Sequence, residues 1–377
     1  MADGLGICIL SPYPPQTGGV PVHAENLAKA LSKNNRIFVI TYGRLGRKGA
    51  KNTEILEVPV AGVKFLRGLS FFLGSLIMLR RLSRKNRIDV IHSQYMHPMG
   101  TAALLYRKFA KNKPKVVVTA HGSDLLRLGQ GRISRRLISW IGNSCDSLVC
   151  VSEHLKAHAV ELGIDKGNIR TIYNGIEKRE FPKMGKGDLR KHLKLPPEKK
   201  IITFAGSLSD AKGADIFVVL AQHLLEKDGS LFFVLVGGGS DRPWLEKLCR
   251  RSGIGESVLF AGPRSHSETL EYIRASDVLV VPSRVEGFGL TALEGMCLGV
   301  PVAASRAGAL PEILPEHSLT DNLPKTVMDI LHDRKFRERM ISENKKRGER
   351  FDWKLAGEET EKLYRSLEAP RGARHGS

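Results

Sequence analysis

The sequence VLVVPSRVEGFGLTALEGMCL fills residues Val278 to Leu298 and contains the repeating unit of this chain. Its apolar start, Val278 to Val281, has the length and composition of a buried strand, and a helical pattern follows from Leu290 to Leu298. Gly287 and Gly289 allow the loop backbone to pass close to a ligand, and the first N–H groups of the helix point into that loop. A uniformly apolar strand that leads into a helix predicts a parallel sheet covered on both faces.

The same unit recurs along the chain. Because apolar strands alternate with helical stretches, we predict an α/β protein with two doubly wound, Rossmann-like domains. The predicted strands are Ile7 to Leu10, Ile37 to Thr41, Val90 to His92, Val116 to Thr119 and Leu148 to Val151 in the first half, and Ile201 to Phe204, Phe232 to Val236, Val258 to Phe260, Val278 to Val281 and Val302 to Ala304 in the second. The segment 177–200 is rich in Lys, Pro and Gly and is interpreted as the interdomain link.

Two carboxylates, Glu286 and Glu294, bracket the loop and the first turn of the helix. Carboxylates repel phosphate, so hydroxyl groups are their better partners. We therefore predict that Glu286 meets hydroxyls at the mouth of the loop and that Glu294 binds a second set such as a ribose, as an acidic residue does in dinucleotide folds. The alternative interpretation is that Glu286 is a solvated loop residue and Glu294 an ordinary exposed helix residue.

Length and composition indicate the class of protein. A chain of 377 residues that is 42% hydrophobic can form two domains with separate cores. Its five cysteines form no Cys-x-x-Cys pair and most lie in apolar segments, which favours reduced core residues and argues against a zinc site. The N-terminus enters a predicted strand almost at once, without the features of a secretion signal, so a cytoplasmic location is expected.

The formal net charge of +20 is concentrated in the first half of the chain. Residues 1–175 hold 26 Lys and Arg against 10 Asp and Glu, a net charge of +16. A field of that sign attracts phosphorylated substrates, anionic membranes or nucleic acid. No nucleic acid partner is expected, because no known nucleic-acid-binding module is present and few aromatics lie among the basic residues.

Motifs of several nucleotide-dependent enzymes are incomplete. The run Gly237 to Arg242 lacks the last glycine of the dinucleotide fingerprint, and the chain has neither a G-x-x-x-x-G-K-[ST] loop nor an Asp-x-Asp pair. These absences count against a nicotinamide dehydrogenase, a P-loop ATPase and a metal-dependent transferase.

In their order along the chain, several short segments resemble glycosyltransferase family 4, a group of nucleotide-sugar-dependent retaining enzymes with the GT-B fold. The matching segments are Gly18-Gly19-Val20, His121-Gly122-Ser123-Asp124, Val151-Ser152-Glu153, Asn174-Gly175-Ile176, Gly206 with Lys212-Gly213, Val236-Gly237, Glu286 with Glu294, Gly308 to Glu312, and Phe351-Asp352-Trp353 with Tyr364. The resemblance implies two Rossmann-like domains that face a cleft. We expect an acceptor-binding domain at 1–176, a nucleotide-sugar-binding domain at 177–350 that includes the link, a helix at 351–369 that packs back toward the first domain, and a disordered tail at 370–377.

The resemblance also assigns roles to single residues. It implies that Lys212 neutralises the diphosphate leaving group, that Glu286 holds the donor sugar and that His121 positions that sugar, so these three are the catalytic candidates. The residues expected to bind the donor are Gly18, Gly19, Asn174, Gly206, Ser207, Gly237, Gly262, Gly287, Phe288, Gly289, Leu290, Thr291 and Glu294. The implied reaction is hexosyl transfer with retention of anomeric configuration by front-face attack, without a metal or another cofactor.

One position departs from the family pattern. Members usually carry Arg after the glycine that corresponds to Gly206, and this chain has Ser207. Arg264, Arg284 and Arg306 each lie beside a loop near a strand end and are candidates to replace the missing cation. The departure keeps two rival functions open, a non-catalytic protein that binds a nucleotide sugar or a partner protein, and a nucleotide-sugar epimerase.

The segment 66–87 joins an apolar run to a basic cluster. No charge occurs from Gly68 to Leu79, and Arg80, Arg81, Arg84, Lys85 and Arg87 follow. Twelve uncharged residues fall short of the ~20 that span a bilayer. We expect either an interfacial helix that binds an anionic membrane at the inner face of the cytoplasmic membrane, which suits a lipid-linked or anionic acceptor, or a core helix with a basic exposed end.

Overall fold

The computed structural model describes residues 4–16, 18–43, 49, 51–60, 64–126 and 131–368. Contacts divide the chain into two units, one formed by the residues up to Gly175 together with those from Asp352 onward, the other by Ile176–Phe351. The predicted domain ends at 176 and 350 each lie one residue from these boundaries. The predicted tail, 370–377, lies outside the described residues.

The first unit contains a seven-stranded parallel sheet in the order β3-β2-β1-β4-β5-β6-β7. Its strands are β1 Gly6–Leu10, β2 Arg36–Tyr42, β3 Thr53–Val58, β4 Val90–Gln94, β5 Lys115–Ala120, β6 Ser147–Cys150 and β7 Ile169–Thr171. The helices up to residue 175 are α1 Gly19–Leu31, α2 Lys64–Lys85, α3 Thr101–Phe109, α4 Ser123–Leu126, α5 Arg132–Ser144 and α6 Glu153–Glu161. The central strands β1 and β4 are buried along their whole length, as expected for a sheet covered on both faces.

Two strands of this sheet were not predicted from the sequence. In β3, exposed and half-buried residues precede the buried Val58, because this strand forms the edge of the sheet and has a single neighbour among the described strands. The strand β7 at the opposite edge is three residues long. Apolar runs identify strands that are buried on both faces, and neither edge strand contains such a run.

The second unit contains a five-stranded parallel sheet in the order β10-β9-β8-β11-β12. Its strands are β8 Lys200–Ala205, β9 Leu231–Val236, β10 Val258–Gly262, β11 Val278–Val281 and β12 Val302–Ala304. Its helices are α7 Lys186–His192, α8 Ala214–Leu225, α9 Arg242–Arg251, α10 His266–Ala275, α11 Leu290–Leu298, α12 Leu310–Ile313, α13 Leu323–His332 and α14 Arg334–Gly348. All five strands lie where the sequence predicts them. The core of this unit forms where buried residues of β8, β9 and β11 pack against α8 and α13.

The segment 177–200 is not merely a link. Arg190 in α7 is buried and donates from Nη2 to Asp277 Oδ2 at 2.7 Å, and Lys186 Nζ donates to Asp277 Oδ1 at 2.6 Å. These bonds attach α7 to the residue just before β11. The segment interpreted as an interdomain link therefore also contains a helix of the second unit, which its Lys and Pro content concealed.

The last described helix, α15 Trp353–Glu368, returns to the first unit. It lies against α1, where a Cβ on Gly357 would come within 2.6 Å of Ala30 Cβ. Tyr364 is fully buried, and its hydroxyl lies 2.5 Å from Nδ1 of His92 in β4. These contacts join the C-terminal helix to the core of the first unit.

Helix α2 has two different faces. Phe71, Leu79 and Leu82 are buried. The exposed apolar residues follow helical spacing and form a stripe, which we call the α2 stripe, of Leu66, Leu69, Leu73 and Ile77 at 43 to 56% exposure. Among the described residues, no helix is both long and apolar enough to cross a bilayer.

Candidate functional site

Lys212 lies in a tight turn of the second unit that the residues after β11 support. The turn Asp210–Lys212 ends at Gly213, whose φ of 67° is left-handed. A Cβ at Gly213 would lie 2.0 Å from the carbonyl oxygen of Pro282, so only glycine fits this close approach. The N–H groups of Arg284 and Val285 both donate to the carbonyl oxygen of Ala211 at 3.0 Å. The loop after β8 and the loop after β11 are thereby held together.

This contact brings two predicted catalytic residues, Lys212 and Glu286, into an ion pair. Lys212 Nζ donates to both carboxylate oxygens of Glu286, at 2.8 and 2.9 Å. The Glu286 side chain is 10% exposed, and Ser283 Oγ donates to its Oε2 at 3.1 Å. An ammonium has three N–H donors, so one donor of Lys212 remains for a ligand oxygen. The carboxylate is buried, whereas the sequence placed it at the mouth of the loop.

The backbone of Glu286 is also fixed. Ala309 N donates to its carbonyl oxygen at 3.1 Å, and a Cβ on Gly308 would lie 2.0 Å from that same oxygen. Gly308 adopts a φ of 54°, which glycine tolerates best. The segment Gly308 to Glu312 therefore has a structural role, because it fixes the backbone of the loop that carries Glu286.

Helix α11 begins beside this pair and presents N–H groups. Gly289 is its N-cap in a left-handed conformation, and no side chain of the described residues caps the helix. The first N–H groups, which include those of Leu290 and Thr291, form a partial positive charge that suits an anion. The Phe288 ring is buried and packs 6.1 Å from the Phe351 ring, so only the backbone of Phe288 can serve a ligand.

Glu294 lies within α11 and forms an ion pair that the sequence did not predict. His266 Nε2 donates to Glu294 Oε1 at 2.8 Å, and His266 Nδ1 donates to Glu180 Oε2 at 3.2 Å. Burial alone would lower the pKa of His266, but hydrogen bonds and charges from the two carboxylates raise it to about 10. His266 is therefore an imidazolium at neutral pH.

Three of the predicted glycines align at the carboxyl ends of neighbouring strands. Gly206 N donates to Val236 O, and Gly237 N donates to Gly262 O, both at 2.9 Å. Ser207 is exposed, and its hydroxyl lies 3.0 Å from that of Ser209. The loops after β8, β9 and β10 therefore form a continuous edge in this unit.

The three arginines proposed to replace the missing cation all contact carboxylates. Arg284 forms a two-pronged pair with Asp215 at 2.7 and 2.6 Å, Arg306 pairs with Glu316, and Arg264 lies 3.5 Å from Glu268. Arg242, which belongs to none of the matching segments, also reaches the end of β10. A Cβ on Gly262 would lie 3.3 Å from its Nη1. Its Nε donates to Glu246 at 2.7 Å, which leaves both terminal nitrogens without an acceptor among the described residues.

His121, the third catalytic candidate, lies in the first unit. Its Nε2 donates to Gln94 Oε1 at 2.8 Å, and burial, followed by the charges of His23 and His92, lowers its pKa well below the usual value. His121 is therefore neutral at pH 7. With the proton on Nε2, its Nδ1 is a hydrogen-bond acceptor.

His23 connects two predicted residues of this unit. Its ring lies 4.7 Å from that of His121, and its Nδ1 donates to Asn174 Oδ1 at 2.7 Å. Asn174 is buried, and its Oδ1 already accepts from His23. Its contact with the nucleotide-sugar donor stays a prediction. Gly18 and Gly19 are exposed at the start of α1, Gly18 with a φ of 126°.

The loop that carries His121 is held by Asp124. Asp124 Oδ1 accepts from His121 N at 3.1 Å and from Gly122 N at 3.0 Å. Burial raises the pKa of Asp124 to about 6, although these backbone bonds oppose the rise. His121, Gly122 and Asp124 belong to one segment of the sequence, and Asp124 supports the backbone of that segment.

Sequence reasoning missed His266, Glu180, Gln94 and Arg242. None of them belongs to a spaced motif. The hydrogen bonds that join Gln94 to His121, His266 to Glu294 and Glu180 to His266 span 27, 28 and 86 positions of the chain. Within the described ranges, no three His, Cys, Asp or Glu side chains are arranged to ligate a metal ion.

Comparisons with known proteins identify the family and the fold of this chain. The family model "Glycosyltransferase Family 4" matches residues 17–180, and "Glycosyl transferases group 1" matches residues 185–347. An uncharacterized glycosyltransferase of Methanocaldococcus jannaschii is 29% identical over 94% of this chain and 96% of its own length. The D-inositol 3-phosphate glycosyltransferase of Corynebacterium urealyticum is 30% identical over 93% of this chain and 91% of its own.

Two solved structures share the fold. Sucrose-phosphate synthase of Thermosynechococcus elongatus superposes with a TM-score of 0.84 at 21% identity, over 97% of this chain and 99% of that one. The Anabaena protein HepE in complex with UDP-glucose superposes with a TM-score of 0.77 at 17% identity, over 96% and 100%. The fold is therefore GT-B, and the chain belongs to glycosyltransferase family 4.

Proposed function

We propose that this glycosyltransferase moves a sugar from a nucleoside diphosphate donor to an acceptor with retention of anomeric configuration. The observation that carries the proposal is the Lys212–Glu286 ion pair beside the uncapped start of α11. The UDP-glucose complex of HepE supports the donor class.

The chemistry of the leaving group explains why these elements suit the reaction. When the bond between the anomeric carbon and the phosphate oxygen breaks, negative charge develops on the diphosphate. Lys212 supplies a full positive charge through its remaining N–H, and the α11 N-terminus supplies a partial one. Together they stabilise the departing diphosphate without a metal ion.

Glu286 holds the lysine and orders the sugar. Both its oxygens contact Nζ of Lys212, so the ammonium is fixed before the donor binds. The remaining acceptor capacity of this carboxylate suits sugar hydroxyls. Glu294 binds the ribose hydroxyls. In the first unit, the acceptor nitrogen of neutral His121 suits a sugar hydroxyl.

The acceptor attacks on the face from which the diphosphate leaves. Its oxygen forms a bond with the anomeric carbon, the bond from that carbon to the phosphate oxygen breaks, and the acceptor proton moves to the departing oxygen. This path retains the configuration and requires no protein nucleophile. It rests on the resemblance to glycosyltransferase family 4.

The acceptor is anionic or lipid-linked, and the first unit binds an anionic membrane peripherally. The α2 stripe is exposed, and a basic cluster follows it in the sequence. The cluster consists of Arg80, Arg81, Arg84 and Lys85 in α2 and of Arg87 just after the helix. An apolar face with a basic end is typical of a helix that lies in a membrane interface. The phosphorylated acceptor named for the Corynebacterium urealyticum relative supports an anionic acceptor.

The test is incubation of the protein with UDP-, GDP- and ADP-sugars, with and without candidate acceptors, followed by NMR of the product. An axial anomeric bond from an axial donor supports retention, and an inverted product contradicts it. Conversion of the donor to another sugar without an acceptor would indicate an epimerase. Binding without transfer or hydrolysis would indicate a non-catalytic protein.

A further inference from the structure

We propose that His266, held by Glu180, is a positioning residue that orients the Glu294 carboxylate toward the ribose hydroxyls of the donor. This inference rests on the proposed function, since it assumes a nucleotide in the second unit. It adds two residues that no motif of the sequence contains.

The start of α10 fixes the position of the imidazole. Ser265 caps this helix, because its hydroxyl accepts from Glu268 N while the Glu268 carboxylate accepts from Ser265 N. His266 is therefore the first residue of α10, and its ring lies between two acidic side chains. It donates to Glu294 Oε1 at 2.8 Å on one side and to Glu180 Oε2 at 3.2 Å on the other.

The hydrogen bond from His266 leaves the second oxygen of Glu294 available to a ligand. The Glu294 side chain is 8% exposed, and its Oε2 has no hydrogen-bond partner among the residues that the structure describes. A carboxylate with one oxygen held presents the other in a single direction, which reduces the entropy lost when a hydroxyl binds.

Glu180 explains why the imidazole stays charged. Burial would discharge an isolated histidine, and two carboxylates prevent this. Glu180 comes from the turn Lys178–Glu180, part of the segment first interpreted as a link. That turn therefore contributes to the proposed ribose site through His266.

The experiment is isothermal titration of the full chain with three probes. They are the tightest binder among UDP, GDP and ADP, the 2′,3′-dideoxy form of the same nucleotide, and inorganic pyrophosphate. The ratio of the first two dissociation constants measures the contribution of the ribose hydroxyls. The variants are His266→Ala, His266→Gln and Glu180→Gln. The matched control is His317→Ala, which removes another His–Glu pair of the second unit, the 3.0 Å contact with Glu343.

In the wild type and in His317→Ala we expect a ratio of roughly tenfold to hundredfold, the contribution of hydrogen bonds to a charged group. In His266→Ala the ratio should fall to about threefold or less, while pyrophosphate binding stays unchanged. His266→Gln keeps a hydrogen-bond donor near Glu294 and should give an intermediate ratio. If His266→Ala does not fold, the ratio in His266→Gln tests the proposal in its place. Glu180→Gln should lower the ratio less than His266→Ala does.

Three results would overturn the inference. They are a ratio in His266→Ala and His266→Gln equal to or above that of the wild type, an equal loss for all three probes, and a wild-type ratio near one. The last result would remove Glu294 from ribose binding but leave a nucleotide site in place. Failure of the wild type to bind any of the nucleotides would refute the proposed function itself, and the inference with it.

Discussion

Replacement of Lys212 by alanine removes the cation that the account places on the leaving diphosphate. In the described part of the chain, no other cation contacts Glu286. Removal of one preorganised donor from a site where charge develops costs ~2.7 to 4 kcal/mol of transition-state stabilisation. We therefore expect turnover to fall by about 10² to 10³. Glu286→Ala should give a loss of similar size.

The same change also affects folding stability, and the two effects can be separated. The variant leaves the Glu286 carboxylate buried with Ser283 as its remaining partner. Loss of one partner of a fully buried pair costs about 3 to 5 kcal/mol, but the Lys212 side chain is 34% exposed, so water screens the pair and about 1 to 2 kcal/mol is the better expectation. The double variant Lys212→Ala/Glu286→Gln should recover stability without recovering turnover.

The assay is initial-rate donor turnover well below the melting temperature, with circular dichroism of each variant. Lys227→Ala is the matched control, because Lys227 is an exposed lysine of the same unit at the end of α8. Turnover of Lys212→Ala within about threefold of wild type, with an intact fold, would refute the reasoning. Recovery of turnover in the double variant would show that the unpaired carboxylate, and not the lost cation, caused the defect.

Three further predictions use other properties of the molecule. Transfer should survive EDTA, because Lys212 and α11 supply the positive charge; loss in EDTA with recovery in manganese or magnesium would contradict this. The protein should co-sediment with anionic vesicles at low salt but not at high salt, and neutralisation of Arg80, Arg81 and Arg84 should abolish the binding, since each basic residue near such a surface contributes ~1 kcal/mol; failure to bind at low salt would favour a soluble acceptor. The pKa of His266 is raised to about 10 from ~6.5 unfolded, so its ion pairs stabilise the fold fully below about pH 6.5 and lose that effect as the pH rises to about 10. The melting temperature of wild type should therefore fall more steeply from pH 7 to pH 10 than that of His266→Gln, and parallel curves would argue against the charged bridge.

The sequence predicts most of the fold because buried parallel strands consist of apolar runs. The ten predicted strands, from Ile7 to Leu10 through Val302 to Ala304, are all present, and the two edge strands were missed because they are short or half exposed. Helix α7 was missed for a similar reason, since it is polar along most of its length and is attached by the bonds of Lys186 and Arg190 to Asp277.

The candidate site was predicted only in part. Spacing within one segment places Glu286 and Glu294 around α11, but the partner of each comes from elsewhere in the chain. Lys212 reaches Glu286 over 74 residues, and His266 reaches Glu294 over 28. Such pairs depend on which strands become neighbours in the sheet, and strand order is not a local property of the sequence.

The most direct measurement is thermal unfolding of the protein with UDP-, GDP- and ADP-sugars. A ligand at 100 times its dissociation constant stabilises the folded state by ~2.7 kcal/mol. The account predicts that at least one of these donors raises the melting temperature of the wild type and that the same concentration has a much smaller effect on Lys212→Ala. No increase with any of the three donors, or an equal increase in Lys212→Ala, would contradict the assignment of the nucleotide-sugar site.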